Sequence, residues 1–229
     1  MDYISQGLLE GLRLLFTGDL ETYTVVWTTI KISSLSITAS LLIGVPLGFL
    51  LGYFEFPGRR SIKTLVDTLL ALPTVVVGLL VYAFISRQGP LGELGLLFTI
   101  PGIAIAQTIL ITPIVVSLTA TAIEGLDRRL RSTLMSLGAR GSQVLITSVI
   151  EARHAIAAAA VTAYGRAISE VGISMMIGGN IKWYTRTITT AMTLETAKGD
   201  FALGMALGMV LLTLSLAVNF MLVAMKKRA

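Results

Sequence analysis

Apolar runs of membrane-spanning length recur along the chain, separated by short segments that carry most of its charge. Five such runs cover about 24–54, 64–85, 101–123, 154–177 and 201–225, and each is long enough to cross the roughly 30 Å of a bilayer's hydrocarbon as a helix. A shorter stretch precedes them. Over residues 2–16, Tyr3, Ile4, Leu8, Leu9, Leu12, Leu15 and Phe16 recur at helical spacing, with Asp2, Gln6, Glu10 and Arg13 on the rest of the wheel. This pattern predicts an amphipathic helix over 1–20 lying in the membrane interface, too short and too charged to span. Asp2 stands where a secretory signal would carry Lys or Arg, so the segment is expected to be retained.

The predicted spans carry marks of close packing. Gly44, Gly48 and Gly52 recur at four-residue steps around Pro46, and Gly204 and Gly208 repeat the step in the last run. Small residues at that spacing let helix backbones approach closely in lipid. Pro73 and Pro113 lie inside the second and third runs, where proline is tolerated if neighbouring groups satisfy the freed backbone. Bent, mutually packed helices are the expectation.

Composition agrees with an integral membrane protein: 54% of the 229 residues are hydrophobic and 14% charged, against about 25% charged in an ordinary soluble domain. The net charge of +5 gives no nucleic-acid signature, because the cations form no long run and sit at the ends of apolar segments. With five spans the termini lie on opposite sides. One set of flanks holds eleven cations: Arg59, Arg60, Lys63, Arg128, Arg129, Arg131, Arg140, Arg153, Lys226, Lys227 and Arg228. The other holds five: Arg13, Arg87, Lys182, Arg186 and Lys198. The richer side is expected to be cytoplasmic, with the C-terminus inside and the N-terminus outside.

That orientation puts residues 124–153 in the cytoplasm, a connection longer than the usual 2–8 residues between helices. Leu126, Leu130, Leu134 and Leu137 recur at helical steps, Gly138 follows in the position that commonly ends a helix, and a second helical segment begins after Gly141. The expectation is two short helices joined at a glycine turn. Such a unit suits docking into a groove of a soluble partner; the alternative is an amphipathic hairpin resting on the bilayer or on its own spans.

Charges within the fourth run are the next candidates. Arg166 and Glu170 are four apart, so on a helix they share a face, and ionisable groups at membrane depth normally face a bundle interior or a water-filled cavity. They read either as a mutually neutralising pair that fixes packing or, with Ser169 and Ser174, as the lining of a pathway. Lys31 in the first run also suits snorkelling to the interface. On the outside, 178–200 joins Lys182, Arg186 and a row of threonines to Trp183 and Tyr184. It reads as an interfacial anchor with an amphipathic helix, or as a surface that draws an anion or docks a partner.

Other chemistries find little support. The sequence has no cysteine, no G-x-x-x-x-G-K-[ST] phosphate loop and one histidine, His154, at a membrane edge. The chain itself is therefore not expected to be an enzyme, to hold a metal or to bind ATP. A stand-alone carrier or channel remains an alternative, although no inverted repeat of the kind many carriers contain is visible.

Several stretches carry a family resemblance. Leu137-Gly138-Ala139 after a helix resembles the coupling loop of ABC-importer permeases, where a Glu-Ala-Ala triplet precedes the glycine and Ile-x-Leu-Pro follows; here Ser132, Thr133 and Leu134 occupy the triplet and Glu151 the proline position. In order along the chain, "EFPGRR" (55–60), "TLLALPTVVVGLLVY" (68–82), "SRQGPLGELGLLFT" (86–99), "GRAISEVG" (165–172), "MMIGGNIKWYTRTITTA" (175–191) and "LETAKGDF" (194–201) are similar to tungstate-type permeases of the molybdate/sulfate permease group. That group accepts glutamate at the proline position.

The resemblance spans nearly the whole chain. It implies an all-helical type I ABC importer permease fold, with 1–229 a single transmembrane domain in the inner cell membrane. It further implies a homodimer, two ATP-binding subunits that hold ATP and Mg beneath it, and an extracytoplasmic oxyanion-binding protein above. Leu134, Leu137, Gly138 and Ala139 become the expected coupling contacts; Arg166, Ser169, Glu170 and Ser174 the candidate pathway; Lys182 and Arg186 the candidate external contacts. Tungstate and molybdate are nearly alike in size and charge, so the resemblance alone selects tungstate, with molybdate or sulfate as alternatives.

Overall fold

A computed structural model describes residues 19–126 and 133–227, with side chains to Phe220, together with Ser5, Gly7, Leu9, Glu10 and Arg13. Most of the expected interfacial helix over 1–20 lies outside the described residues, as do Leu130, Ser132, Arg128, Arg129, Arg131 and Arg228. Of the N-terminal stretch, Gly7 sits against the last helix, where a Cβ on it would come within 2.9 Å of the Met205 side chain.

The described elements are helical: α1 (Leu20–Tyr53), α2 (Arg59–Leu69), α3 (Thr74–Ile85), α4 (Ile100–Glu124), α5 (Gly141–Glu151), α6 (Arg153–Ile168), α7 (Gly172–Gly178), α8 (Ile188–Ala197) and α9 (Phe201–Lys227), with a 3-10 turn at Gly92–Leu94. Three of them, α1, α4 and α9, are individually long and apolar enough to cross a membrane; the count rises to five when the bent pairs α2–α3 and α5–α6 each form one span.

Two predicted spans are therefore interrupted. The run over 64–85 is not one helix but α2 and α3, bent by 98°. Pro73 has no N–H for the helix ladder, and its ring pushes Leu72 out of the helical region; the chain turns through 3-10-type bonds from Leu70, Ala71 and Leu72 before α3 begins. The run over 154–177 is likewise divided. The Ser169 hydroxyl donates back to the carbonyls of Gly165 and Arg166 at the end of α6, and the Glu170 carboxylate accepts from the Ile173 amide at the start of α7. Local polar groups thus replace the continuous ladder.

The core is built on α1 against α4. At Gly44, Gly48 and Gly52 an added Cβ would lie 2.8 Å from Val115, 2.6 Å from the Val116 carbonyl and 2.6 Å from the Ala120 carbonyl, which is the close approach the glycine spacing predicted. Above that contact the hydroxyls of α1 bridge to α4: Ser36 donates to the Ala104 carbonyl and to Gln107, and Ser40 pairs with Thr112 at 3.0 Å. Gln107, fully buried, also donates to the Ala167 carbonyl of α6 and to Ser174 of α7. It ties four helices at one point. Around it pack Ile32, Ile103, Ile111, Ala163, Ile173 and Ile177.

Candidate functional site

The two interruptions meet. Gly172, first residue of α7, faces the first turn of α3, where a Cβ on it would lie 3.2 Å from the Thr74 hydroxyl and 3.4 Å from the Glu170 carboxylate. One turn on, Gly78 approaches Met176 and Ile173. Glu170 is 2% exposed and anchors the arrangement: Oε2 accepts from Arg166 at 2.7 Å, Oε1 from the Ile173 amide at 3.1 Å, and its carbonyl from the Thr189 hydroxyl at 2.8 Å. A carboxylate so buried is tolerable only when paired and hydrogen-bonded.

The expected Arg166–Glu170 contact therefore exists, but Glu170 stands beyond the end of α6 rather than on its face. Arg166 is 37% exposed, and Ser169 is exposed beside it. Ser174 does not join them. Its side chain is buried against Gln107, so it belongs to the core. Leu70, Ala71 and Pro73 at the other interruption are also exposed. Irregular backbone at membrane depth is tolerated where protein or water covers it, not lipid.

At the Tyr53 end of α1, the chain from Thr133 to Ala139 forms a glycine-terminated helical turn. Gly138 has φ +79°, its amide donates to the Met135 carbonyl, and the Ala139 amide donates to the Leu134 carbonyl. This is the two-bond Schellman closure, with Gly138 as the left-handed residue. Leu137 projects with 79% of its surface exposed beside an exposed Met135. The base of the following α5 is attached through Phe49, Ile123 and Ala152, with Leu126 and Leu145 against them.

At the Leu20 end, Glu21 is bridged by Lys182 at 2.6 Å and by Arg186 at 3.0 Å. These two cations are therefore paired rather than free. They line a cavity of about 490 Å³ with Asp19, Glu21, Glu195 and Lys198. Asp19 caps α1; hydrogen bonds from the Thr22 hydroxyl and amide hold its carboxyl below the usual carboxylate range, with a smaller contribution from Lys182. The neighbouring turn holds Gly179, Asn180 and Trp183 at positive φ, and Phe98, also left-handed, donates its amide to the Ile177 carbonyl. Trp183 and Tyr184 are exposed, as an interfacial anchor requires, whereas the first turn of α8 is buried rather than lying on the surface.

Sequence reasoning missed three hubs: Gln107, Glu21 and Glu124, whose carboxylate pairs with both Arg59 and Lys63. Gln107 and Glu124 fall within or at the edge of an apolar run, which was the available signal; Glu21, at the very start of α1, gave none.

Residues 44–229 match the family described as "Binding-protein-dependent transport system inner membrane component". The chain belongs to that family. Among relatives of this transport component, the tungstate uptake system permease protein of Campylobacter jejuni is 46% identical over 227 residues, 99% of this chain and 95% of that protein. The tungstate uptake system permease protein of Peptoclostridium acidaminophilum is 34% identical over 99% of this chain and 100% of its own. The fold of the component also matches a chain of the bacterial alginate ABC transporter solved in complex with alginate pentasaccharide-bound periplasmic protein, with TM-score 0.75, 18% identity, and 94% and 81% of the two chains covered. The type I importer permease fold follows from that match.

Proposed function

We propose that this chain is the transmembrane subunit of an ATP-driven importer of tungstate. The observation that carries the reading is the similarity, over 99% of the chain, to two permeases of tungstate uptake systems. Two copies form the pathway, two ATP-binding subunits supply hydrolysis with ATP and Mg on the cytoplasmic side, and an oxyanion-binding protein delivers the anion from outside. The excess of Lys and Arg on the flanks that include Arg59, Arg60 and Lys63 supports a cytoplasmic C-terminus and an external N-terminus.

Within this reading the exposed turn at Leu134, Leu137, Gly138 and Ala139 is the contact with the ATP-binding subunit. Leu137 supplies the apolar anchor, and Gly138 ends the helix sharply enough to present it. The pathway runs along the exposed side of the paired interruptions. Arg166 and Ser169 face it, while Glu170 holds Arg166 in place and balances its charge. A dianion meeting one balanced cation and a hydroxyl is held weakly, which suits release, while selection belongs to the binding protein. Lys182 and Arg186, paired to Glu21, hold the outer segment 178–187 against α1 and present it to the binding protein.

Reconstitution tests this. The chain, its ATP-binding subunit and its binding protein in liposomes are expected to accumulate tungstate only with ATP at the nucleotide-binding side, and excess molybdate is expected to compete better than sulfate. Equal uptake by liposomes that contain this chain alone contradicts the reading in favour of a carrier or channel.

A further inference from the structure

Helix α2 has no buried residue of its own, yet it is fixed in place. Its charged stripe Arg59, Lys63 and Asp67, spaced four apart, faces the last two turns of α4. Asp67 accepts from the Ser117 hydroxyl at 2.6 Å. Seven residues after Ser117 on α4, Glu124 accepts from Arg59 at 2.5 Å and from Lys63. Arg59 also donates from Nε to the Leu51 carbonyl at 2.7 Å, at the end of α1. Beneath this polar seam only Val66 joins the small cluster of Leu51, Val116 and Ala120. Ile62 and Leu65, on the other side of the helix, remain exposed.

Glu124 is the last residue of α4, and the chain leaves it directly into the segment that ends in the Gly138 turn. Arg59 and Lys63 are in the first turns of α2, which leads through the 98° bend into α3 and so to the interruption at Glu170–Gly172. One carboxylate thus joins the start of the cytoplasmic segment to the start of the broken second span. A movement applied at Leu137 can reach the paired interruptions by two routes: along α5 and α6, or across Glu124 to α2 and α3.

We infer that Glu124, gripped by Arg59 and Lys63, is a positioning residue that carries movement of the cytoplasmic segment into the second span. The inference rests on the docking reading of the Gly138 turn. Reversal of the Glu124 charge sets it against both cations, whereas the exchange K63E/E124K restores one pair in the opposite sense. Because the seam is polar and partly exposed, the fold survives either change, and what alters is transmission.

The experiment uses the full complex in lipid with the binding protein and tungstate. E124K is expected to retain the ATP-binding subunit and its ATPase activity while tungstate imported per ATP falls about tenfold, and K63E/E124K is expected to recover most of that ratio. Amide hydrogen exchange supplies a readout independent of coupling: in E124K the amides of 59–69 exchange about tenfold faster and those of 141–151 are unchanged. An E124K complex that imports at the wild-type ratio, or a loss that the exchange pair does not rescue, overturns the inference while the docking reading stands. A wild-type chain that binds no ATP-binding subunit overturns the docking reading and this inference with it.

Discussion

Glu170 combines two jobs in one carboxylate: it neutralises Arg166 and it starts α7. Removal of either partner strands a charge in a poorly hydrated place, which typically costs about 3–5 kcal/mol for a buried pair, and less here where Arg166 reaches the surface. Arg166→Met and Glu170→Met are each expected to lower thermal stability in lipid, and the double variant to lose less than the sum, as coupled residues do. If Arg166 lines the pathway, the double variant folds but imports tungstate at least about tenfold more slowly. Wild-type import by that variant identifies the pair as packing alone. Gly138 makes a different demand. Among the described residues nothing lies within 4 Å of its Cβ position, so the cost expected of Gly138→Val is that of the left-handed backbone, roughly 1–2 kcal/mol. That strain disfavours the turn, and the expected result is continued ATP hydrolysis with reduced import in a chain that still inserts. Asp19 gives a pH dependence. Its folded value is lowered from 3.8, so its stabilisation is complete above that pH and is lost as pH falls through the folded value. The stability gap between wild type and Asp19→Ala, about 1 kcal/mol for a helix cap, is therefore expected to be constant near neutrality and to close only in strong acid.

At the scale of elements, the contact between α1 and α4 depends on glycine because a backbone carbonyl occupies the space a side chain needs. Gly48→Ala would force a Cβ to within 2.6 Å of the Val116 carbonyl, and overpacking of this kind typically costs about 1–3 kcal/mol. Gly165→Ala, with no described atom within 4 Å of the added Cβ, is the matched control and is expected to be neutral or slightly stabilising; thermal unfolding in lipid compares them. This contact was legible in the sequence, since a four-residue glycine step has one common use in a membrane helix. The three long spans were legible as unbroken apolar runs, and the left-handed closure at Gly138 as a glycine that follows a leucine stripe. The interruptions were less so. Pro73 announced a bend, but its extent depends on what α3 packs against, and the break at Ser169–Val171 comes from side chains bonding to nearby backbone, which hydrophobic periodicity does not register. Ser174 was misplaced because a helix continued through 170 would carry it to the same side as Arg166. The pairing of Lys182 and Arg186 with Glu21 joins positions far apart in sequence, and no local pattern reveals it.

For the whole molecule, the arrangement separates three tasks along one axis. In the proposed reading, the turn at Leu134–Ala139 presents an apolar anchor to the ATP-binding subunit, the paired interruptions supply irregular backbone and an ion-paired cation to the pathway, and the segment held by Lys182 and Arg186 faces the binding protein. Between them α1 packs closely on α4, knitted by Gln107. The most direct test of this account is the ATPase rate of the lipid-embedded complex with its binding protein empty or loaded with tungstate, molybdate or sulfate. The greatest stimulation is expected with the tungstate-loaded protein, with the link between hydrolysis and import lost in Gly138→Val. An ATPase rate indifferent to the loaded binding protein, with import that persists without hydrolysis, would contradict it.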